Sequence, residues 1–204
     1  MIDVHILTMD TTPPAWAALC IASIEQAIDN AGYPVFLHVT SGIKGHIGKA
    51  RAKGYALGEQ PYVTYVDHDD YLHEDAFKAL APFFGAEAIT TGETVVFEDQ
   101  SSSDRPNQQH HLAVFKREFI QGLSLENFQH FPDQYALHEA NTTHIERCLY
   151  FHRVYDASGS RQLREAQPQI AEQELKSFLA EFAEVELLTP LQLQVKLDRE
   201  LRNA

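Results

Sequence analysis

Cysteine is scarce in this sequence and follows no pattern. Cys20 and Cys148 have neither metal-ligand nor redox spacing, which excludes a disulfide framework, a cysteine metal site and a redox dithiol. Long apolar runs are missing, and no signal-peptide pattern opens the chain. The expectation is a cytoplasmic protein without a membrane segment. Positive charge is also in deficit: 16 Lys and Arg stand against 29 Asp and Glu, for a net charge of -13 with histidine neutral. That balance opposes a non-specific grip on a nucleic-acid backbone, and no local basic patch offsets it. No internal repeat is present. The 204 residues fit a single domain, 1–204, large enough to bury its own core.

The apolar residues that are present fall in two periods. Ile2, Val4, Ile6 and Leu7 form a short run of the kind a central strand buried on both faces shows. After a break over Thr8 to Pro14, Trp16, Leu19, Cys20, Ser23, Ile24 and Ala27 recur at three- and four-residue spacing. This predicts a helix from Pro14 to Asn30, with Trp16 in the core. Gly32 ends it, and Val35 to Val39 reads as a second strand of a right-handed crossover unit. A second helix is expected over His46 to Leu57, with Ile47, Ala50, Gly54 and Leu57 inward and Arg51 at the edge of that stripe. Arg51 can reach a phosphate bidentately or form a structural salt bridge to an aspartate. Further on the pattern predicts a helix over Glu74 to Phe84 and strands over Ala88 to Thr91, Thr94 to Phe97 and Leu112 to Phe115. It also predicts a helix within Gln134 to Leu149, extended chain over Tyr150 to Tyr155, and an amphipathic helix from Pro168 through Leu179 and Phe182. The tail from Pro190 reads as strand or helix. Glu98 to Gln109 carries no apolar residue and reads as a lid, an insertion or a surface loop. His110 and His111 follow in a polar loop and read as solvent-facing rather than as a metal site. The fold class is α/β with a mostly parallel central sheet.

Chemistry concentrates at Pro61 to Leu72, PYVTYVDHDDYL. A β-branched and aromatic strand, Tyr62 to Val66, stops at three carboxylates, Asp67, Asp69 and Asp70. Neighbouring carboxylates repel by roughly 1 kcal/mol per pair at about 4 Å even in water, so a positive partner is expected. Oxygen-only ligands suit a hard divalent cation, Mg2+ or Mn2+, and such a cation suits a phosphate-bearing substrate. The carboxyl end of a strand is also where open α/β sheets bind ligands. The competing expectation is an acidic turn with Asp70 as N-cap of a helix beginning near His73.

The stretch GHIGKARAKGYALGEQPYVTYVDHDDYL resembles the nucleotide-sugar-binding half of family 2 glycosyltransferases with the GT-A fold, a Rossmann-like three-layer sandwich. Ala50, Arg51, Gly54, Asp67, Asp69 and Asp70 fall on the family pattern. YFHRVYDASGSRQL resembles the family's closing segment, with Arg153, Tyr155 and Ser158 or Ser160 on it. The resemblance covers Asp3 to Arg161 and is strongest over Gly45 to Asp75. It implies a donor-binding half at about 1–98 and an acceptor half at about 110–204. It also implies a divalent metal held on the diphosphate of a nucleotide sugar, with Asp69 in direct contact and Asp67 on the metal or ribose. Asp70 and Arg153 would serve donor binding, as would Thr8 and Asp10 beside the base and ribose. His152 is a further candidate metal ligand, set against a structural role.

An inverting transfer also needs a general base for the acceptor hydroxyl, which the family draws from a Glu-Asp pair at the start of a later helix. FPDQYALHEA occupies that place, and Gln134 stands where the base belongs; an amide cannot take a proton. Asp133 or Glu139 is left as the catalytic carboxylate, with Asp133 alternatively an N-cap. Ala52 replaces the family Asn, Thr40 and Ser41 replace a base-reading Asp, and Tyr155 replaces the closing His, so the pattern does not specify uridine. The resemblance thus implies a metal-dependent inverting glycosyltransferase whose acceptor is a small molecule, glycan, protein or modified nucleic-acid base. The alternatives are a nucleotide-sugar-binding module that has lost its base and a metal-dependent nucleotidyltransferase on a related sheet.

Overall fold

The computed structural model describes residues 1–10, 12–108, 110–155 and 165–178. Ser158, Ser160, Leu179, Phe182 and the tail after Pro190 lie outside the described residues. The first half follows the apolar periods. Strands β1 (Ile2–Thr8), β2 (Val35–Ser41) and β3 (Tyr62–Asp67) alternate with helices α1 (Pro14–Asn30) and α2 (Ile47–Tyr55). β1 pairs parallel to both β2 and β3. Because a strand's side chains alternate between faces, Ile2, Val4, Ile6, Tyr62 and Val66 pack on one side with Cys20, Ile24 and Ala27 of α1. Val63 and Tyr65 point to the other side, against Tyr55 of α2 and Phe115. Pro14 opens α1 at its first turn, where the missing N–H has no intrahelical partner to lose. The predicted α1 stripe holds for Cys20, Ser23, Ile24 and Ala27, whereas Leu19 is exposed and Trp16 is only half-buried.

The second half corrects the expectation of a mostly parallel sheet. β4 (Tyr71–Leu72), β5 (Ala88–Phe97), β6 (Ser102–Arg105), β7 (Val114–Lys116) and β8 (Thr142–Val154) complete one eight-stranded sheet in the order β2-β1-β3-β7-β5-β8-β4, with β6 on β5. Among the described residues three pairings are parallel and four antiparallel, so the sheet is mixed. The helix expected over Glu74 to Phe84 is a 3-10 helix, Lys78–Phe83, with Pro82 inside it, where no backbone N–H is available for a longer helix. The two short strands after it are one, β5, with a register irregularity around Gly92. Within the polar stretch, Ser102–Arg105 folds back as β6 on β5 instead of standing off as a lid. Helix α3 (Arg117–Ile120) follows β7, and α4 (Pro132–Glu139) is shorter than the segment expected to contain it. Thr142 onward is strand, not helix.

Two polar clamps hold the elements in place, one at the amino end of β3 and one on the segment that leads into α4. Arg117 donates to the carbonyls of Tyr55 (2.8 Å), Leu57 (3.0 Å) and Gln60 (2.6 Å) and to Asp3 Oδ2 (2.6 Å), tying the α2–β3 connection to β1. The last helix, α5 (Pro168–Phe178), buries Ala171, Leu175 and Phe178 against Phe128, Phe131 and Tyr135. Its Glu174 carboxylate accepts the backbone N–H groups of Gln129 (2.5 Å), His130 (2.9 Å) and Phe131 (3.2 Å). Charge-assisted bonds of this kind are the strong ones, and here they fix the segment that leads into α4.

Candidate functional site

β3 runs out at Asp67, and the Asp70 N–H returns to the Asp67 carbonyl at 2.9 Å to close a turn. β4 then pairs with β8 through Tyr71 with Phe151 and Leu72 with Tyr150. The three carboxylates of this turn have different surroundings. Asp67 is 36 % exposed at its side chain and accepts from Arg51 Nη2 at 2.7 Å. Burial alone would raise its carboxyl, but the Arg51 guanidinium outweighs that and holds it well below the usual carboxylate range. Asp69 accepts from the Tyr155 hydroxyl at 2.6 Å, and its carbonyl accepts from Arg153 Nη1 at 2.5 Å. Asp70 is buried, with one oxygen on the Tyr150 hydroxyl (2.8 Å) and the other on the Arg153 N–H (2.7 Å). Burial, with Asp69 beside it, pushes its carboxyl well up. Asp70 therefore locks the turn to β8 and does not cap a helix. Asp67 Oδ2 and Asp69 Oδ1 accept no hydrogen bond among the described residues, and both side chains are partly exposed. That pair of free carboxylate oxygens fits a hard divalent cation.

Arg51 is buried beneath the turn. Its Nε donates to Asp133 Oδ2 at 3.0 Å, and its guanidinium carbon lies 3.4 Å from the centre of the Tyr65 ring. The Tyr55 hydroxyl donates to Asp133 Oδ1 at 3.2 Å. Both oxygens of Asp133 are thus engaged, with burial pushing its carboxyl up and Arg51 pulling the other way. The N-cap expectation for Asp133 fails, because it lies inside α4 and the cap position is Phe131. Of the two roles open to Arg51, the structure shows the salt bridge. Glu139 lies exposed at the far end of α4, about 9 Å along the helix from Asp133. Gln134 Nε2 meets His110 Nε2 at 2.8 Å.

His111 is buried, contrary to the polar composition of its loop. His111 stacks on Tyr150, with ring centroids 4.6 Å apart and planes 10° from parallel. Its Nδ1 is hydrogen-bonded to the buried Glu93 carboxylate. His152 Nδ1 stands 3.7 Å from the same carboxylate. One ligand-capable atom from each of Asp70, His111 and His152 falls within 4.8 Å of the others. The structure groups His152 with these residues, not with Asp67 and Asp69. Thr8 ends β1 with its hydroxyl on the Thr40 carbonyl at 3.3 Å, and Asp10 is exposed just beyond.

Glu93, Tyr150, His111 and Trp16 are the site residues that sequence reading missed. The Arg153 guanidinium carbon lies 5.0 Å from the Trp16 ring centre and 4.9 Å from that of Tyr71, and Trp16 meets Tyr155 edge-on at 4.9 Å. The available signal for Trp16 was its position in the first turn of α1, next to the carboxyl end of β1, where sites gather. Glu93 carried a signal too, as a lone acid inside a β-branched run.

No protein-family model and no curated protein matches the sequence. Solved structures do match in shape. The S. aureus TarS fragment 1–349 superposes with a TM-score of 0.63 at 11 % identity, over 92 % of this chain and 66 % of the fragment. The same fragment in complex with UDP-GlcNAc gives 0.59 at 11 % identity, over 85 % of this chain and 66 % of the fragment. The longer S. aureus TarS gives 0.58 at 12 % identity, over 92 % of this chain and 40 % of that one. This chain therefore spans less than two thirds of the length of these neighbours. These likenesses show the fold, which is the GT-A fold of the S. aureus TarS structures.

Proposed function

We propose that this chain is a metal-dependent glycosyltransferase that moves a sugar, with inversion, from a nucleotide-diphosphate sugar to an acceptor hydroxyl. The observation that carries the reading is the Asp67–Asp70 turn. Two partly exposed carboxylates with free oxygens stand at the carboxyl end of β3, in a fold whose neighbours include complexes with UDP-GlcNAc and UDP. Asp67 and Asp69 would hold Mn2+ or Mg2+. A cation bound there offsets the charge that gathers on the departing nucleoside diphosphate. Arg153, pinned on Asp69 and between Trp16 and Tyr71, adds fixed positive charge beside the turn. Thr8 and Asp10 line the end of β1 where base and ribose would lie. Arg51 holds Asp67 ionised and oriented, and Asp133 positions Arg51.

A candidate proton acceptor in this reading is His110, by its place beside Gln134. It meets Gln134, the position where the family pattern has its base. Asp133 and Glu139, the carboxylates read from the sequence, are the alternatives. His110→Ala, Asp133→Asn and Glu139→Gln, each assayed for kcat and for nucleotide binding, separate the three, since loss of the base lowers kcat and leaves binding intact.

A second reading is favoured by Gln134 and by the engagement of both Asp133 oxygens: a module that binds nucleotide sugars and does not transfer. Calorimetric titration with UDP and other nucleoside diphosphates, with and without Mn2+, tests the donor site. Incubation with UDP-sugars tests turnover. Manganese-dependent binding with sugar release supports transfer, binding without release under any acceptor supports the module, and no binding to any nucleotide removes both.

A further inference from the structure

We propose that Asp70, His111 and His152 form a second metal site, built for a borderline cation of the Zn2+, Co2+ or Fe2+ kind and separate from the Asp67 and Asp69 carboxylates. Three chain segments that are remote in sequence supply the ligands: the turn after β3, the loop before β7 and strand β8. Their ligand-capable atoms converge within 4.8 Å of one another. Ligands bound at about 2.0–2.2 Å to a tetrahedral zinc lie about 3.4 Å apart, a contraction within reach of small side-chain rotations. Two imidazoles and one carboxylate match such cations better than Mg2+, which prefers all-oxygen ligands.

The surroundings supply the second observation. Metal-binding histidines usually give their other ring nitrogen to a carboxylate, which fixes the tautomer and aims the free lone pair. Glu93 does this for His111 through Nδ1, and it faces His152 Nδ1 at 3.7 Å. The carboxylate of Asp70 is itself fixed by the Tyr150 hydroxyl and the Arg153 N–H, as ligating carboxylates are. His111 is clamped flat on Tyr150 and lies 4.4 Å, centroid to centroid, from the His152 ring. Three of the four groups, Asp70, His111 and Glu93, are at most 3 % exposed, while the His152 side chain is 34 % exposed. The open coordination position of a three-ligand site therefore faces the solvent side, where it takes an oxygen ligand such as water or a phosphate.

The test uses the full chain, stripped with chelator and titrated with Co2+ alone, without nucleotide. The expected result is one equivalent bound, with an intense d–d band that Zn2+ abolishes. His152→Ala, at the most exposed ligand, should stay folded by circular dichroism and lose the band. Glu93→Gln should weaken Co2+ by roughly 10–100-fold. His138→Ala, on the exposed face of α4, should change nothing. Absence of stoichiometric Co2+ in the wild-type chain, or unchanged affinity in folded His152→Ala, overturns the site. Loss of the Co2+ band in Asp69→Ala also overturns it, because the metal would then belong to the carboxylate pair. UDP titration on the same samples reports separately on the donor site, so the two assignments can fail independently.

Discussion

Replacing Asp133 by alanine distinguishes an anchor from a base. The substitution removes the acceptor for Arg51 Nε at 3.0 Å and for the Tyr55 hydroxyl at 3.2 Å. Both side chains of the Arg51–Asp133 pair are only 5 % exposed. Breaking a buried ion pair from one side costs about 3–5 kcal/mol, because the surviving charge stays buried. Arg51 keeps Asp67 at 2.7 Å and the face of Tyr65, which places the cost near the lower end, about 3 kcal/mol. For a chain of this size each kcal/mol moves the melting temperature by roughly 2–4 °C, so Tm should fall by about 6–12 °C. A thermal melt followed by circular dichroism at pH 7 measures this. The double change Arg51→Met with Asp133→Leu should recover much of the loss, since apolar replacement of a buried pair is often neutral or stabilising. A melting temperature for Asp133→Ala within about 2 °C of wild type, combined with abolished turnover, would refute the anchor argument and restore Asp133 as the base.

Asp69→Ala should remove Mn2+-dependent UDP binding in calorimetry while leaving the melting temperature within about 2 °C, since it leaves the bonds of Asp70 to β8 in place. Tyr150→Phe should cost about 1–3 kcal/mol in urea unfolding, because the hydroxyl accepts the Asp67 N–H at 3.1 Å and donates to Asp70. His5 is buried with neither ring nitrogen hydrogen-bonded among the described residues, and burial, with Arg51 nearby, holds its pKa well below the ordinary 6.5. Its folded pKa is depressed, so its contribution is present above pH 6.5 and lost as pH falls, at up to about 1.4 kcal/mol per unit. His5→Leu should flatten that part of the acid limb in a series of melts between pH 7 and 5. Gly48→Ala should destabilise by about 1–3 kcal/mol, because a methyl group there overlaps the carbonyl oxygens of Phe128 and Leu125; chemical denaturation would show it.

The first half of the fold was legible because periodicity and burial agree there. β1 is apolar on one face, α1 carries its stripe, and β3 ends abruptly at the acidic turn. The first part of β8 was hidden by Glu146 and Arg147, polar residues that break a strand pattern unless their partners are known, while Tyr150 to Val154 read as extended chain. The family pattern singles out Asp133, but its engagement depends on Arg51, 82 residues away in sequence, and no local rule reports such a pairing. His111 was misread for a related reason. Its neighbours Asn107, Gln108 and His110 suggest a solvated loop, while its burial comes from Tyr150 and Glu93, residues on two other strands.

The placement of the site follows from how far one short strand reaches. β7 pairs only with Tyr62, Val63 and Thr64 of β3. Tyr65, Val66 and Asp67 therefore extend past it with one edge unpaired by any described strand, at the point where the parallel strands β2, β1 and β3 give way to antiparallel neighbours. A buried strand edge demands hydrogen-bond partners, and the Tyr150 hydroxyl meets that demand at the Asp67 N–H. The same hydroxyl holds Asp70, Asp70 holds the Arg153 backbone, and the Tyr150 ring carries His111. The crevice left by the short β7 is thus filled by side chains from β8 and the histidine loop, and open α/β sheets bind ligands in crevices of this kind. Extending β7 by three residue pairs, as far as Asp67, would satisfy the edge with backbone alone and leave Tyr150 no N–H to accept, so the short strand is what couples the acidic turn to the histidine cluster.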